Sequence, residues 1–141
     1  MTSPGKGQIA LPFVLLISGI IIEIVIAGAF VAYFASGSGY SARLQARAWA
    51  VAMSGVNDAL MKIARNKEFA PTEVQYEFTL DADGAAVTAS RTTDITGQYY
   101  LYTITSLGSA GSRQKKLTAT AVVHQITGAL QLQSLVDVPL Q

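Results

Sequence analysis

The chain begins with one long apolar run and then changes its hydrophobic period twice. From Ile9 to Ala35 the only charge is Glu23, and the only other clearly polar side chain is Ser18. A helix needs about 20 apolar residues to cross a bilayer of roughly 30 Å, and this run meets that length. Beyond it, "SARLQARAWAVAMSGVNDALMKIARN" is rich in helix formers, and no proline occurs before Pro71. Apolar side chains recur at Trp49, Met53, Val56, Leu60 and Ile63, in steps of four, three, four and three, which define one face of a helix. Arg43, Arg47, Asp58, Lys62 and Arg65 fall mostly off that face. Small residues at Ala42, Ala46, Ala50 and Ser54 form a second stripe that would let another helix approach closely. The pattern predicts one helix from about Ile9 to about Asn66, roughly 85 Å long at 1.5 Å per residue. Its first half is apolar all round and its second half amphipathic, with a softer turn at Gly37 and Gly39.

After Pro71 the period falls to two. In "EVQYEFTL" Val74, Tyr76, Phe78 and Leu80 alternate with Glu73, Gln75, Glu77 and Thr79, as in a half-buried strand. "DADG" reads as a turn, "AAVTASRT" as a second strand and "TTDITG" as another turn. "QYYLYTITSL" is a third strand, and "GSAGS" separates it from "RQKKLTATAVVHQ". In the last segment, "ALQLQSLVDVPL", the alternation places Leu130 and Leu132, then Val136, Val138 and Leu140, on one side. Hairpin-length connections imply strands that meander in order. The fold class predicted is α+β. A long amino-terminal helix, hydrophobic and then amphipathic, packs its Trp49–Ile63 stripe against a carboxy-terminal antiparallel sheet of four or five strands.

Composition narrows the function classes. The 141 residues leave room for one small domain beside the apolar run. Apolar residues make up 50% and charged residues 13%, against about 25% charged in an ordinary globular domain. The net charge of +1 and the lack of a basic cluster give no basis for nucleic-acid binding. With no cysteine and a single histidine, His124, thiolate chemistry and a metal centre are not expected, and no cofactor is implied. The run could be a signal peptide, a plain anchor, or a segment that spans a membrane only before moving elsewhere. Its length and its continuation into a helical pattern disfavour the first. Lys6 precedes the run while Arg43 and Arg47 follow it, so flanking charge does not fix orientation.

Two stretches, "KGQIALPFVLLISGIIIEIVIAG" and "RAWAVAMSGVNDALMKIARN", resemble type IV pilins and pseudopilins, and among them PilX-type pilus assembly proteins. The likeness covers about half the chain and implies a pilin-like lollipop. It also implies a leader of residues 1–7, cut after Gly7 by a membrane-embedded prepilin peptidase, so that the mature chain begins at Gln8. Lys6 would hold the leader in water. The remaining divisions are a filament-core or membrane half of the helix over residues 8–40, an amphipathic half over 41–68 and a β head over 73–141. The implied function is that of a structural subunit, major or minor, of a pilus-like filament. Its partners would be copies of itself or other pilins, the peptidase and an assembly platform in the membrane. It would start in the cytoplasmic membrane and end in an extracellular filament. The alternative is a permanently anchored extracytoplasmic β-domain that binds a partner or ligand.

Two positions depart from the pilin pattern. Pro12 stands at the fifth mature position, where most pilins carry an acid, and Gln8 replaces the usual aromatic residue or methionine. Proline suits the first turn of a helix but supplies no charge. Glu23 lies fifteen residues beyond Gln8, roughly 22 Å along a helix. A carboxylate at that depth usually marks function. Within a filament it would meet a neighbour's amino terminus, or a neighbour's Arg43 or Arg47; otherwise it is a protonated acid with a packing role.

Other residues have plainer readings. Asp81 and Asp83 lack the further ligands of a calcium loop and fit a solvated turn. Arg113, Lys115 and Lys116 fit a charged strand end that resists edge pairing. Tyr99, Tyr100 and Tyr102 either pack on the helix or form an exposed contact patch. No polar constellation for catalysis is apparent, and the chain is not read as an enzyme.

Overall fold

A computed structural model describes residues 10–94 and 97–140. The leader residues Lys6 and Gly7, and Gln8 after them, lie outside the described residues. The element order is α1 (Ala10–Arg65), followed by β1 (Val74–Leu80), β2 (Asp83–Thr93), β3 (Tyr99–Ala110), β4 (Arg113–His124) and β5 (Leu130–Val138). The strands pair antiparallel in the order β1-β2-β3-β4-β5, a simple meander. The chain divides into two compact units, one ending at Tyr40 and the other running from Ser41 to Gln141.

In the first unit, Pro12 sits in the opening turn of α1, where its missing N–H leaves no bond unmade. The helix continues through Gly37 and Gly39 without interruption. Ser18 Oγ donates to Val14 O at 2.8 Å, which satisfies the hydroxyl within the helix.

In the second unit, α1 from Ser41 to Arg65 packs on one face of the sheet. The buried helix positions are Leu44, Ala48, Val51, Ala52, Val56, Ala59 and Ile63. The expected stripe is therefore corrected in part. Val56 and Ile63 are buried, Met53 and Leu60 are partly buried against the core, and Trp49 is 46% exposed. The reason lies in the sheet, where several helix-facing positions are small: Ala85 and Ala89 on β2, Ala110 on β3, and Ala119 and Ala121 on β4. Small residues on both sides bring the backbones together and leave no space for an indole.

Two glycines mark that approach. A Cβ at Gly108, in β3, would lie against Ala48 O, 2.5 Å from Ala52 N and 2.8 Å from Ala52 Cβ. A Cβ at Gly55, on the helix, would lie 2.5 Å from Ser106 Oγ and 2.9 Å from Val87 Cγ2. Larger side chains close the core around this contact: Tyr102, Ile104, Leu117 and Val123 are buried, with Tyr76, Phe78 and Leu130 at its margin. A fully buried Ile or Val side chain contributes about 1.5–3 kcal/mol.

Alternation splits the tyrosine cluster. Tyr102 is fully buried, Tyr100 is partly buried on the same face, and Tyr99 is exposed. The Tyr102 hydroxyl lies 2.7 Å from both Lys67 O and Phe69 O, which ties the segment after α1 to the sheet. Asn66 Oδ1 accepts from Glu68 N at 3.0 Å and turns the chain out of the helix.

Three strand boundaries differ from the sequence expectation. β3 runs on to Ala110, and a turn at Gly111 and Ser112, with Gly111 at φ 54°, leads into β4. Asp83 and Gly84 already belong to β2, which leaves Asp81 and Ala82 as the turn. In β5 the register slips: Leu132 faces Ala121, Ser134 faces Thr120, and Gln133 is extra. This bulge puts Leu135 opposite Ala119 and moves Val136 and Val138 to the other face, opposite Thr118 and Lys116.

At the β1 edge, Lys62 Nζ lies 2.9 Å from Asp58 Oδ2 and 3.4 Å from the centroid of the Tyr76 ring. Burial pushes the Asp58 carboxyl up, but the Lys62 ammonium paired with it, the nearby Tyr76 hydroxyl and the charge of Arg65 outweigh it and hold the group below its ordinary value. Burial, and then the Asp58 carboxylate, push the Tyr76 hydroxyl well up.

Gly108→Ala should destabilise the head by about 1–3 kcal/mol, because the helix backbone at Ala48 and Ala52 resists the added methyl group. Gly84→Ala, whose Cβ would meet Phe78 O at 3.6 Å, should leave the melting temperature nearly unchanged. Thermal unfolding followed by circular dichroism compares the two. Because the folded state depresses Asp58, its contribution is complete above the unfolded value of 3.8 and is lost as pH falls through the lower folded value. Melting curves between pH 5 and about 2 should show a shallower acid loss in Asp58→Asn than in the wild type.

Candidate functional site

Described by itself, the first unit is a helix with no protein core beside it. From Leu11 to Tyr40 every side chain is exposed in the single chain, Leu11 at 69% and Val31 at 70% among them. Among the described residues this is the one helix long and apolar enough to cross a membrane. Glu23 lies within it and makes no hydrogen bond or ion pair among the described residues, in contrast to Ser18. Gly19 and Gly28 have open space where a side chain would project, so another helix could approach the backbone there.

The second unit carries the arginines expected to serve as partners. Arg47 is held by Asp83: Nε lies 3.0 Å and Nη2 2.8 Å from the same carboxylate oxygen, Oδ2. The Asp83 side chain is 9% exposed, so the guanidinium neutralises an almost buried acid. This contact gives Asp83 a structural role that reading it as a solvated turn residue missed. Arg43 is exposed and makes no hydrogen bond or ion pair among the described residues. Of the two arginines, Arg43 therefore has its guanidinium unengaged. It lies beside the exposed small residues Ala42, Ala46 and Ala50, on the side of the helix turned away from the sheet.

The basic strand end is also partly engaged. Arg113 Nη2 donates to Ser41 Oγ at 2.7 Å, and Lys115 Nζ pairs with the Asp137 carboxylate across β4 and β5. His124 ends β4 and caps the turn that follows: its Nδ1 accepts from Ile126 N and Thr127 N, each at 3.2 Å, and its ring meets Tyr99 edge-on with centroids 5.0 Å apart. No group of His, Cys, Asp and Glu able to hold a metal occurs among the described residues.

The face of the sheet away from the helix is lined mostly by Thr, Ser and Gln. At its Asp94–Tyr99 end lies a shallow cavity of about 750 Å³. Sequence reasoning missed it because its walls come from three segments far apart in the chain, brought together by strand register.

No family model, curated protein or solved structure matches the chain.

Arg47→Met should lower head stability by about 1.5–3 kcal/mol, since it strands a nearly buried carboxylate. Arg43→Met should change it by less than about 0.5 kcal/mol. Denaturant melts of the two variants measure the difference.

Proposed function

We propose that the chain is a structural subunit of a type IV pilus-like filament, made as a membrane-inserted precursor and assembled by helix–helix packing. The observation that carries this reading is the continuity of α1. One helix contains a membrane-competent segment with no core of its own, and the same helix goes on to supply the principal face of a folded β head. A plain anchor would need no such continuity. The resemblance of the amino-terminal sequence to pilins supports the same reading, and implies a leader cut between Gly7 and Gln8.

Assembly would exchange lipid contacts for helix contacts. The open surface at Gly19 and Gly28 and the small residues Ala42, Ala46 and Ala50 allow close packing in such a core. Glu23 would be the polar contact of that core, meeting a neighbour's amino terminus or a neighbour's Arg43. Glu23 makes no hydrogen bond or ion pair among the described residues of a single chain, so a neighbour would supply its partner. The peptidase, the assembly platform and other pilins are the partners this function requires.

Intact mass and amino-terminal sequencing of protein from sheared surface material should give a chain that begins at Gln8. An uncleaved chain retained in the membrane fraction would instead support the permanently anchored β-domain. Glu23→Gln should reduce filament yield about tenfold while leaving the precursor level in the membrane unchanged; a loss of that size corresponds to about 1.4 kcal/mol per assembly contact. Normal yield would remove Glu23 from the mechanism.

A further inference from the structure

The cavity on the outer face of the sheet has a defined construction. Thr92, Leu101, Val122 and Gln131 stand directly opposite one another across β2, β3, β4 and β5, and form one continuous cross-strand row. Leu101 and Val122 give the row an aliphatic centre, with a hydroxyl at one end and an amide at the other. Tyr99, two residues before Leu101 on the same strand face, raises an aromatic wall at 41% exposure. Its ring is braced from the side by His124. Gln133 joins the lining because it is the extra residue of the β5 bulge. Bulges re-aim side chains in this way beside binding sites.

The far wall is held as tightly. A Cβ at Gly97 would lie 2.7 Å from Asp94 Oδ2 and 2.8 Å from Tyr99 Cδ2, so glycine there permits the carboxylate and the ring to stand together. Asp94 N also donates to Tyr99 O at 3.0 Å, which closes the connection.

The chemistry of the lining selects among ligands. Glutamine amides and threonine hydroxyls both donate and accept, and the one charged group is a carboxylate. Among the described residues no lysine or arginine lines the cavity, so phosphate and other anions find no counter-charge there. A wholly apolar ligand would strip water from the amides and carboxylate without replacing their hydrogen bonds. A sugar ring has one C–H face for Tyr99, Leu101 and Val122 and a rim of hydroxyls for Gln131, Gln133, Thr92 and Thr93. The volume falls within the range of about 300–1,000 Å³ typical of small-ligand sites. From this cavity we infer that the β head binds a neutral saccharide. The inference concerns the head alone and does not depend on filament assembly.

The test uses the full chain in phosphocholine micelles, which avoid sugar-headed detergent, and saturation-transfer NMR. The probes are glucose, galactose, mannose and N-acetylglucosamine, each at millimolar concentration, with inorganic phosphate as the anionic comparison. At least one sugar should receive saturation, strongest at the C–H protons of one ring face. Its affinity should fall about tenfold or more in Tyr99→Ala and in the double variant Gln131→Ala/Gln133→Ala, and stay unchanged in Trp49→Ala. The double variant changes exposed side chains of β5, and keeps the test decisive should Tyr99→Ala fail to fold. Saturation of none of these sugars, transfer that survives in the double variant, or binding of phosphate in their place would overturn the inference.

Discussion

The close approach of α1 to the centre of the sheet is the contact on which the rest of the head depends. Ala48 and Ala52 lie against Gly108, where helix backbone sets the distance, and Gly55 lies against the side chains of Ser106 and Val87. At such separations dispersion is efficient, but added volume has nowhere to go. The middle of the interface is therefore built from alanine, glycine and serine, while its bulk sits around the margin in Tyr102, Ile63, Leu117 and Val123. The arrangement also sets the polar contacts. Arg47 reaches Asp83 on one side, and on the other Lys62 reaches Asp58 and covers Tyr76. Tyr102 holds the backbone just after the helix.

Because one face of the sheet is consumed by the helix, the other is left for solvent and ligands. The β5 bulge bears on both. It keeps Leu130, Leu132 and Leu135 in phase with the inner face although the strand is one residue too long for simple alternation. The same extra residue turns a second glutamine outward beside Gln131. A single irregularity thus serves packing on one side and lines the cavity on the other.

Much of this was legible in the sequence, and the parts that were not have identifiable causes. The long helix followed from an apolar run and a helical period with no proline between. The meander followed from alternation and turn residues. The packing face was assigned by its largest side chains, and Trp49 was placed on it wrongly, because size was weighed without the sheet's own composition. The signal was present: Ala48, Ala52, Gly55 and Ala59 recur at helical spacing, and Ala119 and Ala121 alternate with threonine in β4. Small facing small means a close approach. Gly108 was assigned to a loop because glycine and serine cluster around it, whereas here it allows contact within a strand. The paired polar residues Gln133 and Ser134 marked the phase slip in β5. The cavity had no such signal, since its row joins Thr92 to Gln131 through a register that exists only once the sheet has formed.

The two units differ in what they still require from their surroundings. The head buries its own core, from Val51 to Val123, and pairs Arg47 with Asp83, Lys62 with Asp58 and Lys115 with Asp137 internally. The segment from Leu11 to Tyr40 buries nothing in a single chain. Lipid and neighbouring helices would cover its leucines, isoleucines and valines about equally well, because hydrocarbon chains are as apolar as those side chains. Aliphatic burial alone therefore cannot draw the helix out of a bilayer and into a filament. Packing at the glycines and the carboxylate of Glu23 are where the two environments differ. A bilayer offers a carboxylate no partner, whereas the proposed bundle of helices would bring amino termini and unpaired arginines to Glu23. In the proposed filament, the residue that is costly in the membrane is thus one that favours leaving it.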